Sequence, residues 1–106
     1  MLCTTTDQPT GYVVSSVLGI VTGNVVQSKH VGRDFMAGLK GIVGGELRGY
    51  TEMMSEARAE AMKRLTAEAS RLGADAVVGI RFTTSSIQPG SCELLAYGTA
   101  VKLQQT

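Results

Sequence analysis

The sequence predicts an α+β protein, a two-layer α/β subunit in which one long helix and a short helix accompany an antiparallel sheet. Two observations lead to this class. A long β-branched stretch and two further strand patterns predict the sheet. Between them lies the one strongly amphipathic segment, Thr51 to Leu72, which predicts the long helix. The chain has 106 residues, and domains commonly run from about 50 to 200 residues. We therefore predict a single domain over residues 1–106.

The first predicted strand covers Tyr12 to Val26 and is punctuated by Gly19 and Gly23. The glycines indicate one long bent strand, or two strands joined by a bulge. Successive side chains of a strand point to opposite faces, so each face of this strand is predicted to carry a row of apolar residues. These are Val13, Val17, Val21 and Val25 on one face and Val14, Leu18, Ile20 and Val26 on the other. Two apolar sides predict that both faces of the sheet are covered.

A short helix is predicted at Asp34 to Lys40, because Phe35 and Leu39 follow helical spacing. A glycine-rich loop with Gly44 and Gly45 comes next. No Lys-Ser/Thr pair follows the loop, so the nucleotide-binding fingerprint does not apply. We interpret these glycines as a place of close backbone packing, at a turn or at a contact between subunits.

The segment Thr51 to Leu72 predicts a long amphipathic helix. Thr51 is placed to cap its start, Arg71 lies in its last turn, and Gly73 can end it in the left-handed conformation. The predicted buried stripe is rich in alanine, which lets a helix lie close to a sheet; it consists of Met54, Ala57, Ala61, Leu65, Ala69 and Leu72.

Two more strands are predicted after the helix, at Ala76 to Phe82 and Cys92 to Leu103, with a turn over Ser85 to Ser91. One long helix covers only one face of such a sheet. The other face would expose more apolar surface than a monomer usually tolerates, which predicts a homo-oligomer.

Composition excludes several classes of partner. Ten Lys and Arg residues against nine Asp and Glu give a net charge of +1, and no segment concentrates the basic residues. We therefore expect no nucleic-acid partner. The apolar stretch Val13 to Val21 is shorter than the ~20 residues of a spanning helix, and the start has no signal-peptide pattern. We expect a cytoplasmic protein without a membrane partner.

The candidate metal ligands are His30 and Cys92, because imidazole and thiolate are common donors. One subunit offers few donors, but an oligomer could gather equivalent side chains around an axis. The alternative is that Cys92 is a core or edge-strand residue and that His30 lies in a solvated loop. Cys3 is the other cysteine, and the two form no CxxC pair, so reduced thiols are expected.

Other candidate ligand or interface residues are Arg33, Asp34 and Tyr50. Arg33 and Asp34 could bind an anion, or could cap a helix start or bridge subunits. Tyr50 could join Tyr12 and Tyr97 in an aromatic platform, or could be a core or rim residue. No nucleophile has a local activating motif, so no catalytic residue is predicted and the protein is expected not to be an enzyme.

Several segments, in order along nearly the whole chain, resemble the YbjQ family of small bacterial and archaeal proteins. They are Gly19-Ile20-Val21-Thr22-Gly23, Arg33-Asp34-Phe35 with Gly38, Ile42-Val43-Gly44-Gly45 with Gly49-Tyr50, Gly73 to Ile80, and Gly98-Thr99-Ala100-Val101. The resemblance implies a dodecin-like subunit that assembles as a ring, typically a pentamer. It also implies binding of a heavy-metal ion, in a family whose activity is uncharacterised.

Together these observations predict a non-enzymatic oligomer that binds a heavy-metal or related soft ion at subunit interfaces or in a central channel. The alternative is an assembly or protein-interaction module without a ligand of its own. The identity of a ligand does not follow from the sequence.

Overall fold

A computed structural model describes residues 1–28, 42–43 and 46–106. The described chain contains six strands and a helix, in the order β1 (Leu2–Cys3), β2 (Tyr12–Ser28), β3 (Ile42–Val43), β4 (Glu46–Leu47), α1 (Arg48–Arg71), β5 (Ala76–Gln88) and β6 (Ser91–Gln105). The α+β class predicted from the sequence is confirmed.

The main sheet has four strands in the order β1-β5-β6-β2. Strand β6 is the centre, and it pairs antiparallel with β2 on one side and β5 on the other. Strand β1 pairs parallel with β5 through Leu2–Ala76 and Cys3–Val77. The sheet is therefore mixed, and the prediction of an antiparallel sheet was wrong at this edge. A two-residue strand is too short to leave a periodic pattern in the sequence.

Strand β2 is a single bent strand, one of the two forms predicted. Its register against β6 shifts between Val14 and Ser16 and again between Val17 and Gly19. Each extra residue reverses which side the following side chains face. Leu18 therefore packs with Val21 and Val25 under the helix, whereas Val17 is 68% exposed. The strict period-two assignment of the two sides was wrong for this reason.

Helix α1 begins three residues before the predicted start, so Thr51 lies inside the helix and does not cap it. Met53, at 8% exposure, takes the buried place in the first turns, and Met54 is half-buried. At the other end Leu72 is 43% exposed and lies beyond the helix. Gly73 has a φ of 78°, which confirms the left-handed helix end.

The core lies between α1 and the sheet, and the helix runs chiefly over β2 and β6. The four small or medium side chains Ala57, Ala61, Leu65 and Ala69 are fully buried there. Gly23 of β2 completes the fit, because a Cβ at that position would lie 2.0 Å from the Ala61 carbonyl oxygen. The alanine stripe and this glycine together allow the close contact predicted from the sequence.

The turn between β5 and β6 is shorter than predicted. Residues Ser85 to Gln88 continue β5, Ser91 begins β6, and Pro89 and Gly90 form the connection. Ser85 and Ser86, which were predicted to lie in the turn, are exposed strand residues, and Ser91 is a buried one. Polar residues tolerate such a position because neither face of this part of β5 is buried.

The sheet face opposite the helix is partly apolar. Ile20 is 78% exposed and Val26 is 58% exposed, and Tyr97 of β6 lies on the same face. Thr22 and Asn24 separate these apolar residues along β2. Near the other end of the sheet, Val78 and Val101 form a second buried cluster. The expected continuous apolar face is therefore only partly present in the described subunit.

The short helix predicted at Asp34 to Lys40 lies outside the described residues. Strands β3 and β4 pair antiparallel on either side of positions 44–45, where the sequence predicted a loop. Among the described residues, no helix has the length and apolar character to cross a membrane.

Candidate functional site

The candidate site is built around Cys92, the second residue of β6. In the sheet, Cys92 pairs with Gln27 of β2 and with Ser86 of β5. Its side chain alternates with that of Glu93 and so shares the helix side of the sheet with Leu94 and Ala96, which are in the core. The thiol is half-buried, so that it meets the helix without being sealed from water.

The partner of this thiol is a methionine. The Cys92 Sγ–H group donates to the Met54 Sδ atom over 3.4 Å. Met54 lies in the second turn of α1 and packs against the edge of the core. Helix α1 and strand β6 thus bring a thiol and a thioether together from positions 38 residues apart.

The sulfur–sulfur distance is close to that of two ligands of one metal ion. Zinc-thiolate bonds are about 2.3 Å long, and two such bonds at a tetrahedral angle place the sulfur atoms roughly 3.8 Å apart. The observed 3.4 Å is slightly shorter. Only a small change in the Met54 side chain would fit an ion, and methionine has three rotatable bonds. The donor chemistry of the pair fits a soft ion.

Cys3 is a different kind of thiol. Burial raises its pKa, and the nearby N-terminal ammonium group opposes that rise without cancelling it. Burial thus disfavours the thiolate form of Cys3, which is the form that binds a metal ion. It lies in an open groove of about 270 Å³ that Met62, Ile80 and Phe82 also line.

Most of the remaining sequence candidates cannot be placed relative to Cys92 from the described part of the chain. His30, Arg33, Asp34, Gly44 and Gly45 lie outside the described residues. Tyr50 lies in the first turn of α1, half-buried. The prediction that these residues take part in a site stays a prediction.

Within residues 1–28, 42–43 and 46–106, no three His, Cys, Asp or Glu side chains gather as a metal-binding group. The donors that the described residues bring together at Cys92 are therefore the two sulfur atoms of Cys92 and Met54. The sequence identified Cys92 as a candidate ligand. Met54 was assigned to the apolar stripe of the helix, so its contact with Cys92 was not predicted. The signal in the sequence would have been a methionine on the buried side of a helix together with a cysteine in a strand. Which methionine contacts which cysteine depends on the three-dimensional packing.

Charged side chains of α1 pair with one another and with the neighbouring strand. Arg64 Nε and Glu60 Oε1 lie 3.1 Å apart, and both side chains are exposed. Arg64 Nη1 also donates to the Asn24 carbonyl oxygen over 2.6 Å, which ties α1 to β2.

The sequence is similar to those of other known proteins over nearly its whole length. Residues 1–104 match the family model YbjQ_1, whose description is "Putative heavy-metal-binding". A UPF0145 protein of Vibrio parahaemolyticus is 67% identical over 103 residues, which cover 97% of this chain and 98% of that protein. A UPF0145 protein of Thermotoga maritima is 56% identical over 105 residues, which cover 99% of both chains.

A solved structure shares the fold. It is the crystal structure of a DUF74-family protein of unknown function from Pediococcus pentosaceus, with a TM-score of 0.68. The alignment covers 98% of each chain at 18% sequence identity. This similarity shows that a protein with a very different sequence has the same arrangement of helix and sheet.

Proposed function

The chain belongs to the YbjQ family, and from its thiol–thioether pair we propose that it is a non-enzymatic, self-associating protein that binds a soft metal ion. Cys92 and Met54 supply two of the ligands. The observation that carries the proposal is the 3.4 Å contact between Cys92 Sγ and Met54 Sδ.

The donor types select the class of metal. Thiolate and thioether sulfur favour soft ions such as monovalent copper, whereas hard ions take oxygen ligands. Monovalent copper is the member of this class that we propose as the ligand. The description of the family as heavy-metal-binding supports the same class of ion.

Two ligands leave a metal ion under-coordinated, so further donors have to come from elsewhere. A second copy of the chain could supply another sulfur pair, which would place the ion at a subunit interface. His30 is the sequence candidate for an additional ligand, two positions after the last residue of β2. Self-association and metal binding are therefore linked in this proposal.

Binding is favoured over catalysis because of what Cys92 contacts. A nucleophilic cysteine needs a neighbouring base, commonly an imidazole. The Cys92 thiol donates instead to a thioether, which cannot accept the proton as a base at neutral pH. Two free thiols are also suited to a reducing compartment, which supports the proposal of a cytoplasmic protein.

The test is a titration of untagged, reduced protein with monovalent copper under anaerobic conditions, in competition with a chromogenic copper chelator. We expect stoichiometric binding by the wild type, and its loss in Cys92→Ser. Met54→Leu keeps the side-chain volume and should weaken binding by about tenfold or more, since even partners outside the ligand sphere contribute 10–100-fold.

Cys3→Ser is the matched control and should bind as the wild type does, because it removes the other thiol. His30→Ala decides whether that imidazole is a ligand. Unchanged affinity in both Cys92→Ser and Met54→Leu would contradict the proposed site.

A second candidate function is a ligand-free assembly module. It is favoured by strand β2, which carries no charged residue from Tyr12 to Ser28 although it lies at the edge of the described sheet. Native mass spectrometry of the same sample distinguishes the two. An oligomer that never retains copper would support the module and contradict the metal-binding proposal.

A further inference from the structure

We propose that Gln27 tunes the Cys92–Met54 site, its side-chain amide donating an N–H hydrogen bond to the Cys92 sulfur when a soft metal ion binds there. Gln27 is the next-to-last residue of β2. The inference rests on the proposed function, and it names a residue that controls the metal affinity of that site. It does not depend on how copies of the chain meet.

The register of the sheet places Gln27 directly beside Cys92. The Cβ atoms of two residues that lie opposite each other in an antiparallel pair are about 4.5–5.5 Å apart, and their side chains share one face. Val25, two positions before Gln27, is buried in the core under α1. Gln27 therefore lies on the helix side of the sheet, where Cys92 contacts Met54.

The side-chain amide of Gln27 is not committed to another protein group. Gln27 is half-buried, and its amide makes no hydrogen bond to any of the residues that the structure describes. No buried polar side-chain atom of the described chain lacks a partner, so this amide reaches water. An amide nitrogen carries two N–H donors. Gln27 thus holds two donors beside the thiol that can replace water with the sulfur.

Metal binding changes what the Cys92 sulfur needs. Without a metal, the thiol donates its proton to the Met54 sulfur. A metal ion binds the thiolate, so binding breaks the S–H bond, forms a sulfur–metal bond and releases the proton to solvent. The Met54 sulfur changes from a hydrogen-bond acceptor to a ligand. The anionic Cys92 sulfur is then an acceptor for N–H groups, and such charge-assisted hydrogen bonds are roughly twice as strong as neutral ones.

The other described donors near Cys92 are less suited to this role. Ser86 of β5 pairs with Cys92 on its other side, but Ser86 is exposed and the register of β5 shifts between Ser86 and Gln88. Arg58, one turn after Met54, is exposed and donates to the Ser55 hydroxyl. Water competes strongly for exposed donors. Gln27 is the donor in the described chain that is both half-buried and directly paired with Cys92.

The amide acts through its N–H group rather than as a metal ligand. Its carbonyl oxygen is a hard donor of the kind that calcium and magnesium prefer, whereas monovalent copper prefers sulfur. Groups that hydrogen-bond to a metal ligand orient it and adjust its donor strength, and their loss commonly lowers metal affinity about 10–100-fold. Gln27 is therefore expected to set the affinity of the site without contacting the ion.

The first test is the anaerobic titration of the reduced full chain with monovalent copper against a chromogenic chelator. Gln27→Met keeps the side-chain length and removes both N–H donors. Gln27→Glu keeps the length and the oxygen chemistry and also removes them. Both variants should bind copper about 10–100-fold more weakly than the wild type. Gln104→Met, at an exposed position of β6, and Ser86→Ala are the controls and should bind as the wild type does.

The second test observes the amide in the wild-type protein, so it does not depend on the folding of a variant at position 27. Monovalent copper is diamagnetic, which allows nuclear magnetic resonance of the metal-bound protein. The two side-chain amide protons of Gln27 are identified by their absence from the spectrum of Gln27→Met. We expect one of them to exchange more slowly with water after copper is added to the wild type, and to stay unchanged in Cys92→Ser.

The outcomes separate this inference from the proposed function. Wild-type affinity in Gln27→Met and Gln27→Glu would overturn the inference. Tighter binding by Gln27→Met would show that this position supplies a ligand, which also overturns it. Weaker binding without slower amide exchange in the wild type would mean that Gln27 only supports the fold. In each of these cases, loss of binding in Cys92→Ser would leave the proposed site intact, whereas unchanged binding in Cys92→Ser and Met54→Leu would remove the site itself.

Discussion

Asp75 shows how one side chain fastens the end of the helix to the sheet. Its Oδ2 atom accepts the N–H of Leu103 over 2.8 Å, and its Oδ1 atom lies 3.5 Å from Lys102 Nζ. The Lys102 ammonium group also donates to the Gly73 carbonyl oxygen. The backbone hydrogen bond, followed by the Lys102 charge, lowers the pKa of Asp75 although desolvation opposes the change.

This pKa direction predicts a pH dependence of stability. An Asp whose pKa is lower in the folded state stabilises the protein above the unfolded-state pKa of about 3.9, and that contribution is lost as pH falls through the folded-state pKa. Asp75→Asn should therefore be less stable than the wild type at pH 7. The difference should narrow below about pH 4. Urea denaturation at several pH values measures it, and a constant difference down to pH 2 would contradict the assignment.

Leu65 of α1 is, with Leu94, among the largest fully buried side chains of the core. Truncation of a buried leucine leaves a cavity and commonly costs about 2–5 kcal/mol. We expect Leu65→Ala to lower the free energy of unfolding within that range. Leu72→Ala is the matched control, because Leu72 is 43% exposed and its loss should change stability by no more than about 0.5 kcal/mol. Equal effects of the two variants in denaturant unfolding would contradict this description of the core.

The residues of the candidate site were only partly predictable. Cys92 could be named because a thiol is a metal ligand in any setting. Met54 could not, because in the sequence it is one more apolar residue on a helix stripe. Met54 becomes a candidate ligand only because its sulfur lies 3.4 Å from that of Cys92, which is 38 positions away in the sequence. Such a contact is set by packing rather than by a local sequence pattern.

The contact between α1 and β2 depends on the small size of the facing residues. Gly23 has the Ala61 carbonyl oxygen at 2.0 Å and the Leu65 nitrogen at 2.7 Å from the place where a Cβ would lie. Both are backbone atoms of a helix, which cannot move aside singly. The helix would have to rise from the sheet as a unit to admit even one methyl group.

Gly23→Ala should therefore destabilise the protein strongly, by about 3 kcal/mol or more, since overpacking costs 1–3 kcal/mol where side chains can adjust and more where they cannot. Thr22→Ala changes the neighbouring exposed residue and should have a small effect. Chemical denaturation of the two variants is the measurement. A wild-type midpoint for Gly23→Ala would show that the helix does not lie this close.

The elements differed in how far the sequence could predict them. The period of α1 was visible because its buried stripe repeats over many turns. The bulges of β2 were not, because an extra residue such as Leu18 carries no signal of its own and reverses the pattern that follows it. The turn predicted over Ser85 to Ser91 was too long, because composition does not distinguish an exposed strand from a turn.

The outline of the chain gives a reason to expect partners. Its radius of gyration is 17.1 Å, and its principal extents are 53 × 26 × 17 Å. A compact chain of this length would have a radius of about 13 Å. The excess follows from the long strands β2, β5 and β6, which extend as a three-stranded layer beyond what one helix can cover.

The proposed self-association would make stability depend on protein concentration. A partner that binds only the folded state stabilises it by mass action, so the melting temperature of an oligomer rises with protein concentration. We expect the wild-type melting temperature to rise over a hundredfold increase in concentration. A variant with Ile20→Lys and Val26→Lys places two charges on the exposed apolar face opposite the helix, and it should melt at one temperature throughout because it keeps the buried core of α1, β2 and β6. Calorimetry over that range measures both. A wild-type melting temperature that stays constant would mean that the 11.1 kDa chain is stable alone and would contradict the proposed self-association.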